Sequence, residues 1–277
     1  MKLIDSHCHL TWPDYDNDRV QVVAKMAELG VGCINIGTNP ETSRQAVELS
    51  TQYENMWCAL GLYPTLLKGQ PVMVEEKSEE QFDIFDEAVY EKLLTDKVVA
   101  IGECGLDFAS FPAEASEEQK NVWENQQREA FLAQIKFAHK HNLAVVVHCR
   151  SQYEKLFEIF KEARAWWQTP AILHCFTGTT EEALRGIELG CYISFSGILT
   201  FKNGESLRQV AKNLPLEKIL VETDAPYLAP APYRGKRCEP WMALETAKVL
   251  AETLGLTEKK LNAHLIENTK QAFNLIF

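Results

Sequence analysis

No two of the eight cysteines are spaced as a CxxC pair, and several of them lie inside apolar, strand-like runs. That usage argues against a thiolate-led metal site and a disulfide framework, and for reduced thiols packed as small core residues. Long apolar runs are missing as well. No uninterrupted stretch approaches the ~20 residues needed to span a bilayer, so no membrane association is expected. Asp5, His7 and His9 stand where a signal peptide would carry its apolar segment, which predicts a cytoplasmic protein. Positive charge is scarce: 28 Lys and Arg against 39 Asp and Glu leave a net charge of −11. Such a balance is poorly suited to tracking duplex phosphates by bulk electrostatics, although bound cations could supply positive charge locally. Low-complexity segments, long linkers and literal repeats are also lacking, so residues 1–277 read as a single domain. No patch argues for a protein partner, and a monomer is expected.

What is present is an alternation of short β-branched runs with longer amphipathic segments. Strands are predicted at 2–5, 31–37, 56–64, 97–107, 143–150, 170–176, 191–197 and 218–226. Their apolar character is near-continuous, as in parallel strands covered by helices on the outside. Asn39 followed by Pro40 opens one helix as N-cap and first residue. Ser116 with Gln119, and Thr179 with Glu182, read as capping boxes for two more. The first of these carries Phe131, Ile135 and Ala138 on one apolar face and reaches about His141. Eight βα units in one domain predict a closed (β/α)8 TIM barrel rather than an open sheet.

The polar residues fall where such a barrel needs them. His7 and His9, two apart, leave the same face of an extended chain. Glu103, His148, His174 and Asp224 each close a different later strand. Any one of them alone reads more simply as a solvated loop-end residue. Together they converge on the C-terminal face, where six ionisable groups would be costly without a compensating cation. Imidazole with carboxylate suits Zn²⁺, Mn²⁺ or Fe, and six donors with two carboxylates favour two metals sharing one carboxylate. Cys8, Cys149 and Cys175 adjoin these residues, and strand alternation predicts that they point away as packing groups.

The segments "DSHCHL", "IGECGLDF", "VHCR", "HCFTG", "SFSG", "VETDAPYLAP" and "RGKRCEP" resemble, in order, the signatures of the TatD family of metal-dependent deoxyribonucleases, an amidohydrolase-like TIM barrel. The resemblance covers nearly the whole chain. It implies two divalent ions (zinc, manganese or magnesium), one held by His7, His9, Glu103 and Asp224, the other by His148 and His174 with Glu103 bridging. Asp224 and Glu103 are then the catalytic carboxylates, Asp224 orienting a metal-activated water or taking its proton. The implied substrate is DNA, at an exposed end or single strand.

Arg150, two residues past His148, should share its face and meet a phosphate oxygen. Arg234 and Lys236, with Arg237, sit in the loop after the last strand; substrate phosphate contact is expected for Arg234 and Lys236 against the bland reading of a solvated basic loop. The chain departs from the family after strand 3, where "GLYPTLL" puts Tyr63 and Thr65 in place of a His-Pro-His-like turn. Tyr63 can hydrogen-bond a substrate but is a poor proton carrier near neutral pH. Residues 66–82 are long for a βα loop and read equally as a lid or a surface excursion. A small-molecule ester, lactone or phosphoester hydrolase is the alternative activity. A non-catalytic metal-binding scaffold is disfavoured because all six candidate ligands stand.

Overall fold

The computed structural model describes residues 1–71, 80–150 and 152–276. Each apolar run becomes a parallel strand: β1 (Leu3–Cys8), β2 (Val31–Ile36), β3 (Met56–Leu60), β4 (Val98–Asp107), β5 (Ala144–Arg150), β6 (Ala171–Leu173), β7 (Cys191–Phe195) and β8 (Ile219–Val221). Their hydrogen-bonded order follows the chain from β1 to β8. The first and last strands meet through a different set of bonds. His9 N donates to Ala225 O at 2.8 Å, Asp224 N to His7 O at 3.0 Å, and Ser6 Oγ to Val221 O at 3.0 Å. Asp5 closes the seam from the side, accepting from Thr223 N at 2.9 Å and Thr223 Oγ1 at 2.6 Å. The eight-strand barrel expected from the sequence is present, and its closure is made by the segments that carry His7, His9 and Asp224.

Helices α1 (Arg19–Leu29), α2 (Pro40–Ser50), α3 (Glu87–Glu91), α4 (Glu117–Lys140), α5 (Tyr153–Ala163), α6 (Thr180–Glu188), α7 (Glu205–Lys212), α8 (Ala243–Leu254) and α9 (Glu258–Phe273) lie between and after the strands. The capping boxes form as read: Ser116 with Gln119 starts α4, Thr179 with Glu182 starts α6, and Asn39 caps α2 with Thr42 returning the bond. Each satisfies amides that a helix start leaves without partners. Inside the barrel, Ile4, Ile34, Ala59, Val146, Ile172, Tyr192 and Leu220 form one apolar cluster with Ala272 and Phe273 from the end of α9 and Leu275 just after it. A larger cluster fills the layer between strands and helices.

Two irregularities aim the polar residues. The pairing register shifts between Asp5 and Cys8 in β1 and between Ile101 and Cys104 in β4. One residue of slip exchanges the two faces of a strand. Ile4 faces the barrel interior and Ile101 packs outside, so strict alternation would send His7 and Glu103 outward. The shifts turn both inward. Gly102, at φ +141°, makes the second possible, because a Cβ there would lie 2.4 Å from Val146 O. β1 runs further than expected, through His7 to Cys8, whereas β4 ends at Asp107 as expected and β8 stops at Val221, short of Asp224. Among the described residues no helix is long and apolar enough to cross a membrane. All eight cysteines are free thiols.

The segment 66–82 is described only at its ends, where Lys68 N donates to Phe82 O and Phe82 N to Leu66 O, each at 2.8 Å. Both readings of the segment, lid or surface excursion, turn on residues 72–79, which lie outside the described residues.

Candidate active site

His148 and His174 need no irregularity: they continue the inward alternation of Val146 on β5 and Ile172 on β6. Asp224 follows β8 with φ +63°, a left-handed conformation that Asp tolerates better than most residues. From these five elements six donors converge. His7 Nε2 lies 3.1 Å from His9 Nε2, and Asp224 Oδ1 stands 3.6 Å and 3.7 Å from the two. Glu103 lies between the groups with its oxygens divided. Oε2 is 3.3 Å from His7 Nε2 and 3.6 Å from His9 Nε2; Oε1 is 2.9 Å from His148 Nδ1 and 2.8 Å from His174 Nε2. Three sets, His7–His9–Asp224, Glu103–His148–His174 and His7–His174–Glu222, each offer donor atoms within 4.8 Å of one another.

The electrostatics of this cluster ask for cations. Burial pushes the Glu103 carboxyl up, but the imidazoles of His174 and His7, with bonds from His148 and His174, hold it well below the usual carboxylate range. Burial opposes the Asp224 carboxylate too, and the bond from His9 with the charge of His7 and His174 outweighs it. In return, the carboxylates draw protons onto two imidazoles against the cost of burial: His148 rises to about 9 through Asp107 and Glu103, and His174 rises through Glu103 and Glu222. Burial and the neighbouring His174 push His7 below the usual imidazole range, against the pull of Glu103. His7 Nδ1 is buried with no hydrogen-bond partner. Among protein groups alone, protons supply the positive charge that buried carboxylates require. Divalent cations fit the same place and the same donors.

Above the cluster opens a cavity of about 560 Å³, bordered by Trp12, Tyr63, Arg150, Thr177, Ile198, Tyr227 and Leu228 as well as by five of the six donors. The model of TatD-related DNases matches residues 4–274. The chain belongs to that family. It is 33% identical to the metal-dependent hydrolase YabD of Bacillus subtilis (strain 168) over 274 residues, covering 99% of each chain. It is 33% identical to the 3′-5′ ssDNA/RNA exonuclease TatD of Escherichia coli (strain K12) over 283 residues, covering 99% of this chain and 100% of that one. The crystal structure of YjjV, a TatD homologue from E. coli K12, superposes with a TM-score of 0.81 at 27% identity, over 99% of each chain.

Against the TatD signatures, the residues expected to touch substrate divide. Arg150 borders the cavity, and its charge helps hold the Asp107 carboxyl low. Tyr63 also borders it, with its hydroxyl donating to Asp107 Oδ2 at 3.3 Å and 3.2 Å from His148 Nε2. Thr65 is fully buried away from the cavity. Arg234 and Lys236 are exposed and do not line it: Arg234 stacks on Phe201 at 3.7 Å, and Lys236 lies 5.7 Å from the Tyr233 ring. Arg237 is engaged by both carboxylate oxygens of Asp18, at 2.8 and 2.7 Å. Of the three cysteines, Cys8 is fully buried packing, as expected. Cys149 and Cys175 instead border the cavity. Cys175 takes φ +43°, which breaks the alternation that predicted otherwise, and its Sγ lies 3.2 Å from Ser196 Oγ.

Two carboxylates escaped the sequence reading. Asp107 Oδ2 stands 3.2 Å from His148 Nε2, and Glu222 Oε1 stands 3.4 Å from His174 Nδ1 while accepting from Cys175 N at 2.7 Å. Both are fully buried. Alternation counted from the donors would have found them: Asp107 is four residues past Glu103 on one strand, and Glu222 two before Asp224.

Proposed function

We propose that this TatD-family metal-dependent hydrolase is a phosphodiesterase acting on exposed ends or single strands of DNA, with two divalent cations shared among six side chains. The observation that carries the reading is the division of Glu103, one oxygen toward His7 and His9 and the other toward His148 and His174. On it, His7, His9, Glu103 and Asp224 would hold one cation, and His148, His174 and Glu103 the other. Zinc, manganese or magnesium held there supplies Lewis-acid polarisation of a phosphoryl oxygen and a water acidified toward neutrality.

The chain's own groups do the remaining work. Asp224 is the most open of the donor carboxylates, its side chain 18% exposed, and its Oδ1 is the acceptor for the proton of the attacking water. Arg150 receives a non-bridging phosphate oxygen by a charge-assisted hydrogen bond. Tyr63 lines the same space and gives the substrate a hydroxyl partner. A recessed mouth in an acidic molecule favours a strand end over an intact duplex. The name of the E. coli relative, an exonuclease of single-stranded DNA and RNA, supports the same substrate class.

The deciding experiment follows hydrolysis of a 5′- or 3′-labelled single-stranded DNA by the metal-loaded protein beside Asp224→Asn. Cleavage that falls ~100-fold or more in the variant supports the reading. Absence of cleavage with both cations bound overturns it and favours a small phosphoester or lactone, the reading to which Tyr63 in place of an imidazole lends weight.

A further inference from the structure

The cavity wall is chemically divided, and the division follows the barrel order. Tyr63 comes after β3, His148 and Arg150 lie on β5, and Thr177 comes after β6: this arc offers charge and hydrogen bonds. Ile198 comes after β7, Tyr227 and Leu228 after β8, and Trp12 after β1. Because β8 closes on β1, these four form one continuous apolar and aromatic arc opposite Arg150.

That arc is built rather than incidental. Trp12 lies flat on His9, ring centroids 4.2 Å apart and planes at 17°, and meets Tyr227 edge-on at 5.5 Å. A Cβ at Gly197 would sit 2.0 Å from Leu228 O, so glycine lets the loops after β7 and β8 touch and join their side chains into one wall. Leu228 itself is held at φ +55°, unusual for a γ-branched residue. Tyr227, Leu228 and Ile198 are half-buried and keep surface toward the cavity. Cation binding and phosphate contact have no use for such a wall. A nucleotide does, being an anionic phosphate joined to a flat apolar base.

We propose that the β7–β8–β1 arc is a subsite for the terminal nucleobase, seated against Tyr227, Leu228 and Ile198 over the Trp12 backing, with its phosphate facing Arg150 across the mouth. Stacking of this kind is tolerant of sequence because every base has a π face. The inference deepens the phosphodiesterase reading and names the part of the substrate that reading leaves unheld.

The test is calorimetric titration of the metal-loaded enzyme with the four deoxynucleoside 5′-monophosphates and with deoxyribose 5-phosphate, which lacks the base. The nucleotides should bind ~10-fold or more tightly than the sugar phosphate, with little spread among the four bases. Tyr227→Ala and Ile198→Ala should remove most of that difference while the sugar phosphate binds as before, and Tyr227→Phe should retain it. Equal binding of nucleotide and sugar phosphate by the natural chain overturns the subsite, as do variants that weaken both ligands alike. The two readings fail separately. Base-dependent binding without DNA cleavage leaves the subsite and removes the phosphodiesterase; cleavage without base-dependent binding does the reverse.

Discussion

Asp107 and His148 are paired between the neighbouring strands β4 and β5, Oδ2 to Nε2 at 3.2 Å, on the opposite nitrogen from the 2.9 Å contact between Nδ1 and Glu103. Both ring nitrogens thus face a carboxylate, and the Tyr63 hydroxyl donates to Asp107 Oδ2. A second carboxylate on a ligating imidazole fixes ring orientation and raises its basicity.

Asp107→Ala should therefore weaken the cation held by His148 ~10- to 100-fold and leave the His7–His9 cation in place. Asp107→Asn keeps an acceptor and should lose less. Metal content after dialysis against graded chelator reads the two sites separately. Retention of both cations at natural affinity would show that Asp107 does not position His148.

Glu103 is the one donor facing both histidine pairs, so its loss should not be confined to one cation. Glu103→Ala should release most of the second metal and loosen the first, with activity falling together with occupancy. Full activity with two bound metals would sink the bridging assignment.

Much of this site was legible because chemistry-bearing residues at strand ends are conspicuous against apolar runs. His7, His9, Glu103, His148, His174 and Asp224 were all placed on the correct face, and the capped starts of α2, α4 and α6 were read from local chemistry alone. The register shifts beneath His7 and Glu103 were not legible. A bulge depends on how two strands pair, and each strand's own sequence is silent on that. Asp107 and Glu222 lie inside the expected strands 97–107 and 218–226, but taking one chemistry-bearing residue per strand stops at Glu103 and Asp224, whereas β4 carries Glu103 and Asp107 on one face.

Cations bound to the folded chain and not to the unfolded one stabilise it by mass action. Removal of metal by chelator should lower the thermal midpoint, and restoring Zn²⁺ or Mn²⁺ should return it. The control is Glu103→Ala, whose midpoint should respond much less to added metal. An equal response in both would locate the stabilising ions outside this cluster.

Arg150 and the Arg234–Lys236 loop should separate by substrate length. Arg150→Ala removes a cation from the cavity border and should raise KM ~10-fold on substrates of every length. Arg234 and Lys236 stand outside the cavity, so any phosphates they meet belong to the trailing strand. Replacing both with Ala should leave a dinucleotide unaffected and reduce the salt dependence of binding a long strand by about 1 to 2 in slope. A dinucleotide effect as large as that of Arg150→Ala would place the loop inside the site.

Away from the site, Asp18 and Arg237 tie the start of α1 to the loop after β8. The hydrogen bonds from Arg237 hold the Asp18 carboxyl below its usual range. A carboxyl depressed in the folded state stabilises above its unfolded value, about 3.9, and that contribution disappears as pH falls through the folded value. Asp18→Asn keeps the shape and removes the charge. Because the Asp18 side chain is 41% exposed, the loss at pH 7 should be small, under ~1 kcal/mol. The difference in thermal midpoint between the two proteins should be present from pH 7 down to about 4 and shrink at more acid values. A gap that persists unchanged into acid would mean that the substitution acts through packing at the helix start and not through the ion pair.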